Sequence, residues 1–354
     1  MYFARVTRGL ELVAASYLSE QVDFSLKSES HRTLLFESSS QPRSLLNLSG
    51  IDDLFVHIGS FQELDHTRAS LDQLRKQLRE FEISNALEII RSVRALPKHP
   101  NFTITASFVG KRNYSRWDIA DAAKVVFLKQ KNWKYIDPKG GDVSNCDLSI
   151  RIHLDGSTGE AGVRLGQHPL YKRDYKTAHI VGSLTPQVAS LMLFLAKPTS
   201  GEKVLDPMCG VGTIPIEAAR QGNIGLAFGM DLSLASIELF SLNRQGADAM
   251  AFGIRGDALR CPLGTGSVDV IVCDLPWNRN TYIESDLEKK EAYQGLMSEF
   301  ARILKSNGRA VLLSEESDIV KSCLSNTSLR MRVHYDISLY GRHPTIIILD
   351  QRQA

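Results

Sequence analysis

The stretch DPMCGVGTIPIEAA, residues 206–219, decides how this chain is read. It follows the short apolar run KVL and opens a segment with helical spacing, so it spells strand end, tight loop and helix start. Gly210 and Gly212 let backbone approach a ligand where the helix begins. The third glycine of a dinucleotide fingerprint is replaced by Pro215, so the loop alone does not name a nucleotide. Asp206 narrows the choice. A carboxylate at the strand tip repels a pyrophosphate and suits a ligand that carries positive charge.

The segments around the loop set the fold class. Strand candidates are KVLDPM, GLAFGMDL, AFGIRGDAL, VDVIVCDLPW and GRAVLLSE, with helical stretches between them. That alternation predicts an α/β doubly wound parallel sheet. Two more candidates, MRVHYDISLYG and TIIILDQR, are joined by a short connection holding Gly341 and Pro344. Such a connection makes an antiparallel hairpin and not a parallel crossover. A seven-stranded Rossmann-like sheet ending in a hairpin is a feature of class I methyltransferases.

Acids close the next strands too. GMDLS puts Asp231, followed by Leu232, where a carboxylate can accept both ribose hydroxyls, and RGDAL puts Asp257 where it can accept from an adenine amine. Each acid alone also serves as a helix N-cap. Three acids at successive strand tips behind a glycine loop point to S-adenosylmethionine (SAM), which has no phosphate and carries an amine and a sulfonium. An oxidoreductase of the same fold is disfavoured by Asp206 and Pro215.

The fourth strand ends in CDLPW. Asp274 and the carbonyl of Leu275 can accept the two hydrogens of an exocyclic amine and draw its lone pair toward a methyl group. Pro276 stiffens the turn, and Trp277 can stack on a flipped base. The bland alternative is a strand that ends in a proline turn. Cys209 and Cys273 read as buried small hydrophobes and not as nucleophiles.

With 354 residues, 43% hydrophobic and 23% charged, the chain is expected to fold as two or three globular domains. No apolar run is long enough to span a membrane, VASLMLFLA being the longest candidate. Five scattered cysteines without a CxxC pair argue against disulfides or zinc and suit a reducing compartment, and the nine histidines show no metal-ligand spacing. A cytoplasmic protein is expected, or a nuclear one in a eukaryote.

The first half reads as small α+β units: YFARV, LELVAASYLSEQV and TLLFES; a helical pattern over 68–94; FTITASFV; then SRWDIADAAKVVFLKQ, with Ser115 and Asp118 spaced as a capping box. DLSIRIHLD and EAGVRLG form a hairpin around Gly156. Residues 98–176 hold 14 Lys and Arg against 8 Asp and Glu, whereas 1–97 and 177–354 are each two charges to the acidic side. Aromatics interleave with the charges in GKRNYSRWD, KQKNWKY and LYKRDYK. That mixture suits RNA, with Lys111, Arg112, Arg116, Lys172 and Arg173 as phosphate contacts. A merely solvated basic face has the same composition.

DPMCGVGTIPIEAA, GMDLS and SVDVIVCDLPW resemble the catalytic domain of the THUMP-domain RNA guanine-N2 methyltransferases. RGLELVAASYL is similar to the start of that family. WDIADAAKVVFLKQ, CDLSIRIHLDG and AGVRLGQHPLYKRDYK are similar to its THUMP module, and GSLTPQVASLML to the segment before its Rossmann sheet. The resemblance implies a ferredoxin-like domain over 1–66, an RNA-gripping THUMP domain over 67–170 and a SAM-dependent domain over 171–354. It implies N2-methylation of a guanosine, in tRNA or, as in a eukaryotic branch, in a spliceosomal small RNA, and for eukaryotic relatives a small zinc-binding activator subunit. Adenine N6 and a decayed RNA-binding scaffold stay as alternatives. The implied cofactor contacts are Thr185 and Pro186; Asp206, Met208, Cys209, Gly210, Gly212 and Thr213; Asp231 and Leu232; Gly256, Asp257 and Ala258; and Asp274. The chain departs from the family at Leu275, where many relatives have proline, at Trp277, and at the NRN that follows.

Overall fold

The computed structural model describes residues 1–130, 133–140, 142–222, 224–276 and 286–352. The chain divides into two compact units, Met1–Val6 with Ala14–Tyr171, and Thr7–Val13 with Lys172–Ala354.

The first unit is built on one eight-stranded sheet of order β2-β3-β1-β4-β8-β7-β5-β6. Its strands are β1 (Tyr2–Arg5), β2 (Ser25–Ser30), β3 (Thr33–Glu37), β4 (Asp53–Phe61), β5 (Asn101–Phe108), β6 (Lys134–Tyr135), β7 (Leu148–Asp155) and β8 (Thr158–Arg164). Antiparallel pairing of β4 with β8 carries the sheet across residues 66 and 67, so no break in the sheet falls there. Alternation buries Leu54, Val56 and Ile58 of β4 with Ile150, Ile152 and Leu154 of β7. The edge strand β2, SLKSES, has no apolar alternation and gives no signal in the sequence.

The helical pattern over 68–94 splits into α2 (Ser70–Glu80) and α3 (Ser84–Val93), after α1 (Glu11–Gln21). The break is Phe81, extended at φ −73° and ψ 132°. Its ring packs on Phe61 and lies over Gly59, where a β-carbon would come within 2.4 Å of it. Burying that ring outweighs continuing the helix. The capping box forms at the start of α4 (Arg116–Gln130): Ser115 N donates to Asp118 Oδ2 at 2.8 Å and Asp118 N to Ser115 Oγ at 3.2 Å. Gly156, at φ +56°, turns the β7–β8 hairpin.

The second unit holds a seven-stranded sheet of order β11-β10-β9-β12-β13-β15-β14. Its strands are β9 (Lys203–Asp206), β10 (Leu226–Asp231), β11 (Ala251–Arg255), β12 (Val268–Asp274), β13 (Leu304–Ser314), β14 (Leu329–Asp336) and β15 (Thr345–Gln351), and its helices are α5 (Pro186–Ala196), α6 (Thr213–Arg220), α7 (Leu234–Ala247), α8 (Asp286–Ile303) and α9 (Ser317–Cys323). The first five strands pair in parallel, and β15 pairs antiparallel with both β13 and β14. The terminal hairpin is therefore present. One expected helix is not. Only a 3-10 turn, Ala258–Arg260, lies between β11 and β12, because Pro262, Gly264 and Gly266 leave no uninterrupted helix-forming run.

The core of this unit joins Leu205, Met230, Ile271, Cys273, Leu312 and Ile347 of the sheet to Met297 and Phe300 of α8. Strand β12 is buried on both faces, which is why its sequence reads as a near-continuous apolar run. Full burial of each such side chain contributes about 1.5–3 kcal/mol. Among the described residues no helix is long and apolar enough to cross a membrane.

Candidate active site at the strand tips

Because β9 to β12 are parallel neighbours, their carboxyl ends share one edge of the sheet. Strands β10 and β11 lie on one side of β9 and β12 on the other, so the tip of β9 is the topological switch point, where open α/β sheets hold their ligands. Asp206, Asp231 and Asp274 end β9, β10 and β12, and Asp257 follows β11 by two residues.

The glycine loop is drawn against the tip of β10. Cys209 N donates to Met230 O at 2.8 Å, and Gly210 N donates to Asp231 Oδ2 at 2.9 Å. Gly210 and Gly212 have φ of +51° and +82°, a region costly to other residues. At Gly212 a β-carbon would also stand 2.1 Å from the ring of Phe240, so the loop closes on α7 only with glycine there. Thr213 then begins α6.

Asp231 is held from both sides. Oδ2 takes the Gly210 amide, Oδ1 takes the Ser233 amide at 2.8 Å, and the backbone carbonyl takes Gly256 N at 3.0 Å. Each carboxylate oxygen keeps a second lone pair for a vicinal diol. Leu232 beside it is 67% exposed and Leu259 is 44% exposed, two apolar side chains left open to solvent flanking the acids. Asp257 caps the 3-10 turn through Leu259 N at 2.9 Å, so the capping role holds for one of its oxygens, and Ala258 is buried behind it.

Asp206 is almost fully buried. Burial lifts its carboxyl well above the usual range, the charges of Asp274 and Asp231 raise it further, and the Met208 amide at 3.1 Å opposes them. Three carboxylates thus converge on the switch point. That environment repels a pyrophosphate and is relieved by a ligand bearing an ammonium and a sulfonium. The residues fit SAM. Cys209 and Cys273 are buried, and burial pushes both thiols well above their ordinary value, which leaves them protonated and unsuited to attack.

The DLP turn is braced on both sides. Leu275 N donates to Leu313 O at 2.9 Å, and the Tyr293 hydroxyl of α8 donates to Pro276 O at 3.2 Å while lying 3.4 Å from Ser314 Oγ. The Leu275 amide and the Pro276 carbonyl are thereby held on either side of the Leu275 carbonyl, which limits how that carbonyl can turn. Burial pushes the Tyr293 phenol up to about 12, so it stays a donor. Tyr293 gives no signal in the sequence, where it sits on the apolar stripe of a helix. Trp277 and the NRN that follows it lie outside the described residues.

The five basic residues separate into two groups. Lys111, Arg116 and Lys172 are exposed, and Trp117 lies between Arg116 at 4.6 Å and Lys139 at 4.9 Å. Arg112 and Arg173 turn inward, which corrects their reading as phosphate contacts. Arg112 donates to the carbonyls of Leu64, Asp65 and Gly156 and ties three loops together. Arg173 lies against the buried Glu217 of α6 at 3.1 Å, and Glu217 also accepts from Tyr175 at 2.7 Å and Ser190 at 2.8 Å. Thr185 is the N-cap of α5 and Pro186 its first residue; the Thr185 hydroxyl is buried and has no hydrogen-bond partner among the described residues.

Residues 173–345 match the family model described as UPF0020: RMKL-like, methyltransferase domain. The chain is 26% identical to a tRNA (guanine(6)-N2)-methyltransferase of Archaeoglobus fulgidus over 96% of its own length and 89% of that protein's. It is 30% identical to a U6 snRNA (guanine-N(2))-methyltransferase, THUMPD2, of Bos taurus, over 60% of this chain but only 38% of that one. The chain thus spans well under half the length of the THUMPD2 relatives it matches. In structure it is similar to TrmN from Thermus thermophilus, with a TM-score of 0.79, 20% identity and 99% of both chains covered. It is also similar to SMU.472, a putative methyltransferase complexed with SAH, with a TM-score of 0.74 and 14% identity. At those identities the likeness establishes the fold.

Proposed function

We propose that this chain, similar in residues 173–345 to a methyltransferase family model and along most of its length to a tRNA guanine-N2 methyltransferase, is a THUMP-containing guanine-N2 methyltransferase that methylates the exocyclic N2 amine of a guanosine in RNA, tRNA foremost, with SAM as methyl donor. The observation that carries the reading is the row of acids at four neighbouring strand tips behind a glycine loop that admits only glycine at Gly212.

Bound SAM supplies an activated methyl group. The chain supplies the rest. Asp231 accepts the ribose hydroxyls, Asp257 the adenine amine, and Asp206 the ammonium. Asp274 and the Leu275 carbonyl accept the two hydrogens of the target amine. As positive charge develops on that nitrogen, its hydrogen bonds to Asp274 strengthen, so the stabilisation is greater in the transition state than in the bound substrate. The braces on Leu275 N and Pro276 O keep both acceptors in place. Trp277 stacks on the base.

Residues 67–170 act as the THUMP module, and Lys111, Arg116 and Lys172 contact phosphate. The proposal includes a small zinc-binding activator subunit, tested by comparing the lone chain with a reconstituted pair. A guanosine of a small nuclear RNA is the second reading, favoured by relatives named as U6 snRNA methyltransferases. Incubation with labelled SAM and total RNA, followed by nucleoside analysis, tests the function. The expected product is N2-methylguanosine in tRNA. Label in N6-methyladenosine, or in no nucleoside, overturns it.

A further inference from the structure

The segment LYKRDYK ends in Lys176, and its ammonium does not face solvent freely. Nζ donates to Thr213 Oγ1 at 2.9 Å, at the first residue of α6, and to the carbonyl of Leu184. Both partners are neutral. Among the described residues no carboxylate forms a salt bridge with Lys176. Glu217 is near enough to favour the charge and is already engaged by Arg173, Tyr175 and Ser190. Burial lowers the Lys176 amine to about 8, and the charge of Glu217 opposes that fall without cancelling it. Lys176 is half-buried; a charge withdrawn from water is ordinarily paired, and this one has one N–H left to give.

Helix α5 carries an acceptor with the opposite lack. Gln187 is 6% exposed, and among the described residues its buried Oε1 has no hydrogen-bond partner, nor has the buried hydroxyl of Thr185. Gln187 lies one turn before Ser190 on α5, and Ser190 meets Glu217 of α6. Thr213 lies one turn before Glu217. Helix α5 packs on α6, and both begin at the strand-tip edge: α6 follows the tip of β9, and the far end of α5 meets Arg309, which pairs with Val270 near the start of β12, away from the tips. The carboxamide of Gln187 and the ammonium of Lys176 therefore flank the first turn of α6, directly behind the glycine loop.

We propose that Lys176 and Gln187 form the receptor for the zwitterionic amino-acid end of the cofactor, Lys176 pairing with its carboxylate and Gln187 Oε1 accepting one N–H of its ammonium. The inference rests on the SAM reading above and names residues which that reading leaves out. A zwitterion is the one simple chemistry that satisfies a half-buried cation without a salt bridge and an orphaned buried acceptor together. A plain anion would leave Gln187 unsatisfied, and a plain cation would be repelled by Lys176. The segment that precedes α5 in the second unit thereby contributes to the cofactor pocket, a role its basic composition hides.

Calorimetry with two thioether nucleosides tests this without turnover. S-adenosylhomocysteine carries the amino-acid end, and methylthioadenosine lacks it. Lys176→Met is expected to bind S-adenosylhomocysteine at least tenfold more weakly and methylthioadenosine within twofold of wild type, with Lys176→Arg largely restored. Gln187→Leu is expected to show the same selective loss, and it reads the pocket from the other side should Lys176→Met misfold and lose both ligands. A wild-type chain that binds neither nucleoside overturns the SAM reading itself. A wild-type chain that binds S-adenosylhomocysteine, with both variants binding it equally well, overturns the receptor alone.

Discussion

The strand tips of the second unit gather acids and the run 98–176 gathers bases, yet the two differ in what a sequence can say about them. At the tips the backbone does the placing. An acid that ends a parallel strand must lie at the carboxyl edge, so residue type and position in the motif fix where the charge goes, and Asp206, Asp231 and Asp274 share that edge. In the basic run long side chains do the placing. Arg112 and Arg173 sit in the same kind of aromatic-basic sequence as Lys111 and Lys172, but the first pair is turned into the protein and the second is exposed. A local excess of arginine and lysine is a count, and a count does not say which of its members point outward.

That comparison breaks most visibly at Asp274. Asp274→Ala should lower methyl transfer on the order of a hundredfold or more, the usual cost of one preorganised group, with SAM affinity within a few fold because the earlier tips make that pocket. Single-turnover rates with SAM and RNA both saturating measure it; near-normal transfer would reduce Asp274 to a structural residue. Arg173→Ala should come next. Leaving Glu217 buried without its cation is expected to cost about 3 kcal/mol, or roughly 6–12 °C in the melting temperature of a unit of this size. Lys172→Ala, one residue away and exposed, should stay within about 0.5 kcal/mol of wild type. Equal melting of the two variants would erase the distinction between inward and outward charges. The smallest effect belongs to Lys111, Arg116 and Lys172 on RNA. Each removal should flatten the log–log dependence of affinity on salt by about 0.7–0.9, the value of one lost phosphate contact. Arg112→Ala should leave that slope unchanged and lower the melting temperature.

Most of the second unit is legible in the sequence because its strands are buried and parallel. Runs such as VDVIVCD have no alternative use, and the hairpin follows from a connection too short for a crossover. The missing helix before β12 was legible too, in Pro262, Gly264 and Gly266, and is obscured by expecting strict alternation. Phe81 breaks a regular helical pattern because of Gly59, twenty-two residues earlier, a contact that no local pattern carries. Tyr293, Lys176 and Gln187 are the harder cases. A tyrosine on an apolar stripe, a lysine in a basic run and a glutamine in an apolar helix each look ordinary. Their roles arise from a single partner, or the lack of one, in the folded chain.

The central claim is that the strand-tip acids hold SAM, and calorimetry on Asp231→Ala tests it most directly. The carboxylate is oriented by Gly210 and Ser233 for a diol, and hydrogen bonds to a charged group contribute about 1.5–3 kcal/mol. The account predicts SAM affinity at least tenfold weaker than wild type, since about 1.4 kcal/mol corresponds to each factor of ten. Unchanged affinity in a folded Asp231→Ala chain would contradict it.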